Sequence, residues 1–299
     1  MTKLAIFAHY DKRNEIQDYV VEYLRGLKEV AHNIIFVSDS DVPQEELSKI
    51  SNYVSHSIVG RHNEYDFGSY KRGYLWALDN DILKNYKELI FANDSCYAPL
   101  FPFSTMFEKM KDTKADYWGA TINDNKHYKT DEIRNHVQSF FMVFKPQIFN
   151  SKHFENFMRS IKKQKEKKDG INKYEIGLSI YLQENGYNLD CYSEISKSVA
   201  DSHLAQYKQL IKKERLPFLK RNIILKKEIQ NVYPIGIKKI ISKTKYNYNL
   251  IKKDYNKNKV EMSLWEEFYS IIKPYKRKII RISTKNKNAL LFNKIQIQW

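Results

Sequence analysis

Glycine, proline and cysteine are scarce in this 299-residue chain, with nine, seven and two residues respectively. No low-complexity tract is visible, so the chain does not read as a flexible polymer. The two cysteines, Cys96 and Cys191, have no zinc-ligand spacing and make no disulfide framework. That usage fits a reducing cytoplasm, although a single bridge between the two stays open. No apolar run approaches the ~20 residues that cross a bilayer, which predicts a soluble or peripheral protein. Met1-Thr2-Lys3 leads directly into Leu4-Ala5-Ile6-Phe7, which reads as a first core strand and is too short for a signal peptide.

What is present is typical of a globular protein: 42% hydrophobic and 14% aromatic residues, enough in a chain this long for a full core. The net charge of +16 is unevenly spread. Residues 205–299 hold 24 Lys and Arg against 6 Asp and Glu, whereas residues 1–204 hold 27 against 29. The basic character therefore belongs to the last third, where it implies a polyanionic partner, either nucleic acid or an anionic membrane surface. We place a domain boundary at this change of texture, with one domain over 1–204 and a basic, aromatic-rich, mainly helical region over 205–299.

Short β-branched or apolar runs predict strands at Lys3–Ala8, Asn33–Val37, Ser55–Gly60 and Glu88–Ala92. Helical spacing fills the intervals: Asn14–Leu27, a short helix from Pro43 to Ile50, and a helix from Gly68. This alternation predicts an α/β fold with a Rossmann-type, mostly parallel sheet flanked by helices. Further on, strands are expected at Ala115–Thr121, Val137–Lys145 and Asn188–Tyr192, with a polar loop over Asn123–Asn135. Helices are expected at Pro146–Ile161 and Lys173–Glu184, the second stopped by Gly186, with Lys162–Asp169 a solvated charge run between them.

Two polar clusters stand out. Tyr65-Asp66-Phe67-Gly68-Ser69-Tyr70-Lys71-Arg72-Gly73 opens a helix, and the strand Glu88–Ala92 ends in Asn93-Asp94-Ser95. Ligands of α/β proteins bind outside the carboxyl ends of strands, so the pair points to one nucleotide-type pocket.

Five motifs occur in order: Asn63 to Tyr70, Asn93 to Pro99, Asp116 to Thr121, His136 to Phe141 and Glu175 to Ser179. Together they resemble the rhamnan synthesis F family of bacterial polysaccharide glycosyltransferases, over roughly residues 3–204 and not over the basic remainder. The resemblance implies a GT-A-like fold and transfer from a nucleotide-diphospho-sugar donor, with rhamnose or galactofuranose as the sugar. The family setting implies synthesis of cell-wall rhamnans, O-antigens or capsules.

Such a reaction needs a clamp for the diphosphate, neutralisation of its growing charge and a base for the acceptor hydroxyl. Under the resemblance Glu175 is the expected base of an inverting transfer; an exposed Glu favoured by the helix dipole is the plainer alternative. Asp66 is expected at the ribose or base, with Lys71 or Arg72 reaching phosphate, against a simple N-cap and two solvated cations. Asn93, Asp94 and Ser95 stand where GT-A enzymes carry a metal-binding Asp-X-Asp, but with one carboxylate only. Asp94 is then the expected ligand of ribose or of Mn²⁺ or Mg²⁺, and an Asx-turn is the alternative. His203 is a second candidate for the metal. His136 and Gln138 are expected near the donor sugar or acceptor, Asp39 at the base with His9 beside it, and Trp118 and Gly119 as pocket wall.

In the basic region, Leu216–Lys227 and Ile271–Arg281 interleave cations with apolar residues, as an interfacial helix on anionic lipid does. The resemblance implies a lipid-linked saccharide acceptor, hence a peripheral enzyme at the cytoplasmic face of a bacterial plasma membrane. A helical subdomain packed on the core is the alternative. Nucleic acid is not expected as a partner, since no recognition motif accompanies the charge. An inactive relative acting in assembly is a further alternative, kept open by the missing second carboxylate.

Overall fold

The computed structural model describes residues 2–126, 133–198, 202–225 and 236–258. The expected strands appear as β1 (Lys3–His9), β2 (Asn33–Ser38), β3 (His56–Val59) and β4 (Glu88–Asn93). Between them lie α1 (Asp18–Lys28), α2 (Gln44–Ser48) and α3 (Tyr65–Asp79). The chain continues through β5 (Cys96–Tyr97), β6 (Tyr117–Gly119), β7 (Ile122–Lys126), β8 (Ile133–Val137), β9 (Phe141–Phe144), β10 (Leu189–Cys191) and β11 (Leu219–Lys220).

A seven-stranded sheet runs in the order β10-β6-β9-β4-β1-β2-β3. All of its pairings are parallel except those of β9 with β4 and β6. The mixed α/β architecture with a mostly parallel sheet is thus the one that the strand–helix alternation predicts. Both faces of the sheet are covered, so β1 reads as an unbroken apolar run rather than an alternating one. Ala5 and Phe7 join Tyr23, Phe36 and Phe103 on one side; Leu4, Ile6 and Ala8 join Val37, Tyr70 and Phe91 on the other. Gly73 lets α3 lie close on β1, since a Cβ there would come within 2.5 Å of Ile6.

Several expectations change. The polar segment after Thr121 forms an antiparallel β7–β8 hairpin rather than only a loop; residues 127–132 of the expected loop lie outside the described residues. The expected strand Val137–Lys145 is divided, because a turn at Gln138–Phe140 separates β8 from β9. The expected helix Pro146–Ile161 is two helices, Pro146–Phe149 and Lys152–Ser160, the second capped when Ser151 Oγ accepts from the Phe154 amide at 3.1 Å. Helix begins within the charge run, at Lys167–Gly170, and passes through a wide π-type turn over Ile171–Ile176 into Gly177–Glu184.

The change of composition after residue 204 is not matched by a change of packing. β11 pairs antiparallel with β5, and Leu216, Phe218, Leu219, Ile224, Ile240 and Ile251 share a core cluster with Phe7 and Tyr23. A helix over Tyr248–Asn258 packs along α1, with Lys253 paired to Asp18 at 2.8 Å. Of the two stretches read as interfacial, Leu216–Leu225 is described and its Leu and Ile residues are turned into the core, Leu225 only partly. The second, Ile271–Arg281, lies outside the described residues.

Candidate functional site

The order of the sheet reverses between β1 and β4, whose ends lie side by side with Ala8 opposite Asn93. That is the position where a parallel sheet opens a crevice for ligands. Loop and strand ends are locked together there: the Tyr10 amide donates to Asp94 Oδ2 at 2.9 Å, and the Asp94 amide to Ala8 O at 3.2 Å. Asn93 Nδ2 donates to Asp66 Oδ2 at 2.8 Å, and its Oδ1 accepts from the Ser95 amide and hydroxyl at 3.1 and 2.5 Å. The Asx-turn that closes this strand is therefore made by Asn93, not Asp94.

On the neighbouring strand end, Asp39 Oδ1 accepts from the amides of His62 and Asn63 at 2.6 and 2.8 Å. These bonds hold a turn in which Asn63 and Tyr65 both have φ of 57°. Left-handed backbone at a bulky aromatic is costly and concentrates at ligand sites. Here it leaves Tyr65 41% exposed at the start of α3. His9, at the end of β1, meets Ser38 Oγ at 2.9 Å, and burial lowers its pKa to about 4, so the ring is neutral near pH 7.

Two cavities of about 300 and 430 Å³ open at this edge and share Tyr65, Asp66, Ser95 and Asn222 as a common wall. The larger one is lined by His9, Tyr10, Asp39, Asp94 and Arg221. The smaller one is lined by Asn93, Asn123, His136, Gln138, Ser139, Glu175, His203 and Lys220. Glu175 lies in the wide turn, where the extra residue re-aims side chains; such turns recur at functional sites. Its carboxylate accepts a hydrogen bond from Ser139 Oγ and stands 3.8 Å from His136 Nε2. Gln138 is fixed by Thr121 Oγ1, which donates to its Oε1 at 2.6 Å, and it meets His203 Nε2 at 3.3 Å. Burial, helped by the charges of Lys220 and His136, lowers the His203 pKa to about 3.

The basic region supplies the cations of this crevice. Lys220 Nζ donates to Ser95 Oγ at 3.0 Å and lies 4.3 Å from the centre of the Phe140 ring. Arg221 is held by a bidentate pair with buried Asp254, both contacts at 2.8 Å, and stacks 4.5 Å from the Tyr19 ring. Asp254 also accepts from Tyr97 OH at 2.7 Å, and Tyr19 OH donates to the Asp94 carbonyl at 3.2 Å. Burial opposes the charge on Arg221, but the Asp254 carboxylate, with Asp94 nearby, more than offsets it and holds the guanidinium firmly protonated.

Of the residues singled out in the sequence, Asp66, Asn93, Ser95, His136, Gln138, Glu175 and His203 line the smaller cavity, and His9, Asp39 and Asp94 the larger. Lys71 and Arg72 line neither. Both are within 2.6 Å of Glu64, which itself lines the smaller cavity, and Lys71 also donates to the Ile161 carbonyl. Trp118 and Gly119 also line neither: Trp118 is buried against Phe107 and Phe141, and a Cβ on Gly119 would sit 3.0 Å from Val137. The pairing of Asp94 with His203 as metal ligands is not supported, since the two face different cavities. Among the described residues no three His, Cys, Asp or Glu side chains are grouped to hold a metal ion.

Tyr65 and Ser139 stand inside the quoted motifs without an assigned role, and Lys220, Arg221 and Asn222 were not anticipated. Lys220-Arg221 stands in a stretch whose local pattern points to lipid, and nothing near it in sequence ties it to Ser95.

A model of the family described as rhamnan synthesis protein F matches residues 34–291, so the match runs well past residue 204, where the motif resemblance ended. The chain is 25% identical over 187 residues to an uncharacterized protein, y4gN, of Sinorhizobium fredii, covering 62% of this chain and 47% of that one. The chain thus spans about half the length of that relative. Among solved structures, similarity is found to core-mannan synthase A of Aspergillus fumigatus in its Mn/GDP form, with 12% identity and a TM-score of 0.36 over 60% of this chain and 69% of that chain. A 4-diphosphocytidyl-2C-methyl-D-erythritol synthase gives 10% identity and a TM-score of 0.40 over 70% of this chain and 97% of that chain.

Proposed function

The chain belongs to the rhamnan synthesis protein F family, and from that footing we propose that it is a GT-A-like glycosyltransferase acting on a nucleotide-diphospho-sugar. The reading extends to rhamnose or galactofuranose as the sugar, a lipid-linked cell-surface polysaccharide as acceptor, and inversion at the anomeric carbon. The observation that carries it is the pair of joined cavities at the sheet's switch point. One presents a carboxylate beside an imidazole, and the other an Asp-lined strand edge with a fixed guanidinium.

In this reading the nucleotide occupies the larger cavity, with Asp39 and His9 at the base and Asp66 at the ribose. The sugar and the acceptor hydroxyl occupy the smaller one. Glu175 takes the hydroxyl proton while the oxygen attacks the anomeric carbon, and the bond to the diphosphate breaks with its electron pair leaving on the nucleotide. Ser139 and His136 orient the carboxylate. Gln138 and neutral His203 offer hydrogen bonds to sugar hydroxyls without adding charge. Lys220 and Arg221 stand where negative charge grows on the leaving group. If a Mn²⁺ or Mg²⁺ ion is bound, Asp94 would be the residue to hold it, and the ion would add to that neutralisation.

A panel of nucleotide sugars, with and without Mn²⁺, tests the reading on wild type and Glu175→Gln. We expect one donor to turn over and Glu175→Gln to slow it by roughly 10³-fold with donor binding retained, in line with the loss of a general base. No binding of any nucleotide sugar sinks the transferase reading. Binding without turnover on any acceptor favours the inactive assembly partner instead.

A further inference from the structure

Away from the crevice, a separate cleft of about 190 Å³ is lined by Lys208, Lys212, Gly236, Lys239, Ile240 and Lys243. Two helices build it, Tyr207–Glu214 and Ile237–Ile241. Lys208 and Lys212 are four residues apart, as are Lys239 and Lys243, so each pair shares one side of its segment. The apolar residues of the same segments, Tyr207, Leu210, Ile211, Ile237, Ile240 and Ile241, are buried in the core cluster. Among the described residues, the charged side chains that line the cleft are all lysines.

Among the described residues no acidic side chain lines this cleft. The nearest in sequence, Glu214, is committed elsewhere, accepting from Ser193 Oγ at 2.5 Å and the Ile195 amide at 2.9 Å. Lys212, Lys239 and Lys243 are exposed and make no ion pair among the described residues. Like charges at exposed Lys212, Lys239 and Lys243 repel each other, and a polyanionic surface would relieve that repulsion. Exposed Lys213, Lys238 and Lys245 continue the charge around it.

We propose that this lysine cleft is where the protein docks on the anionic phospholipid headgroups of a membrane surface. A membrane is favoured over nucleic acid because the aromatic side chains of these segments, Tyr207 and Tyr246, are buried and give bases no stacking face. Contact is by charge alone: the apolar faces of these segments are already used in the core. The helix Tyr207–Glu214 starts three residues after Leu204, which lines the smaller cavity, so a short stretch of chain links the cleft to the proposed acceptor side. The proposal rests on the glycosyltransferase reading only for the acceptor that such docking would deliver.

The test is flotation of the full chain with vesicles of phosphatidylcholine alone and with phosphatidylglycerol added, at low and high salt. Wild type is expected to bind only the anionic vesicles, and to be released by high salt as the Debye length shortens. Changing Lys212, Lys239 and Lys243 to Glu together should weaken binding at least about tenfold, since each cation near an anionic surface contributes appreciably. A control with Lys12, Lys87 and Lys114 changed to Glu has the same net charge and should stay within about twofold. Equal loss in both variants, or equal binding to neutral vesicles, overturns the proposal. So does tighter, Lys212-dependent binding to single-stranded RNA, or release by inorganic phosphate beyond its effect on ionic strength. Because flotation does not read turnover, its failure is distinct from failure of the Glu175 experiment.

Discussion

Lys71-Arg72, in the near-neutral first two thirds of the chain, and Lys220-Arg221, in the basic remainder, are both adjacent cation pairs, and they behave in opposite ways. The first directly follows the Asn63–Tyr70 motif that carries the family resemblance, yet both its side chains pair with Glu64 and line neither cavity. The second lies in a segment whose composition suggests a surface tail, yet it reaches both cavities by way of β11 pairing with β5. The difference teaches that charge density along a chain does not say where charge is used. Arg221 is fixed by a partner 33 residues away, and Lys220 by a serine 125 residues away.

The strongest way to break this comparison is to unfasten the basic segment. Asp254 is 1% exposed and ties Arg221, Tyr97 and the helix Tyr248–Asn258 together. Asp254→Asn leaves the guanidinium without its counter-charge and is expected to cost about 3 kcal/mol in chemical denaturation. An unchanged midpoint would mean that the segment is not part of the cooperative core. Exchanging the cations sharpens the same point. Lys220→Met should slow turnover by about 10- to 30-fold, whereas Lys71→Met should change it by less than about 3-fold. The opposite order would return the phosphate role to the first pair.

A smaller effect separates the regions by pH. His203, at the junction, and His9, in the first strand, have folded pKa values of about 3 and about 4, both below the 6.5 of an unperturbed imidazole. The unfolded chain therefore takes up protons first, and stability falls as pH drops from about 6.5 towards 4. His203→Gln should flatten part of that fall in melting temperature. If the slope is unchanged, His203 is not buried neutral against Lys220.

Much of the frame was legible because local physics writes it. Apolar runs of strand length between amphipathic helices specified β1 to β4, and Asn93-Asp94-Ser95 at a strand end marked the crevice. Glu175 was legible through its motif, although not the wide turn that aims it. The β7–β8 hairpin was not legible, since Asn123-Asp124-Asn125 has poor strand propensity and is held extended by pairing with its partner strand. Ser139 was hidden because the strand Val137–Lys145 looked continuous, and only the Gln138–Phe140 turn presents it to Glu175.

The sequence by itself determined the α/β class, the polar strand ends and a net-basic last third, since each is a property of neighbours along the chain. Only the tertiary structure decided which cations face the crevice, that the basic segment shares the core, and that four of its lysines gather at one cleft. Those outcomes depend on contacts between residues tens to more than a hundred positions apart, where burial and ion pairing select among arrangements that local sequence leaves equal.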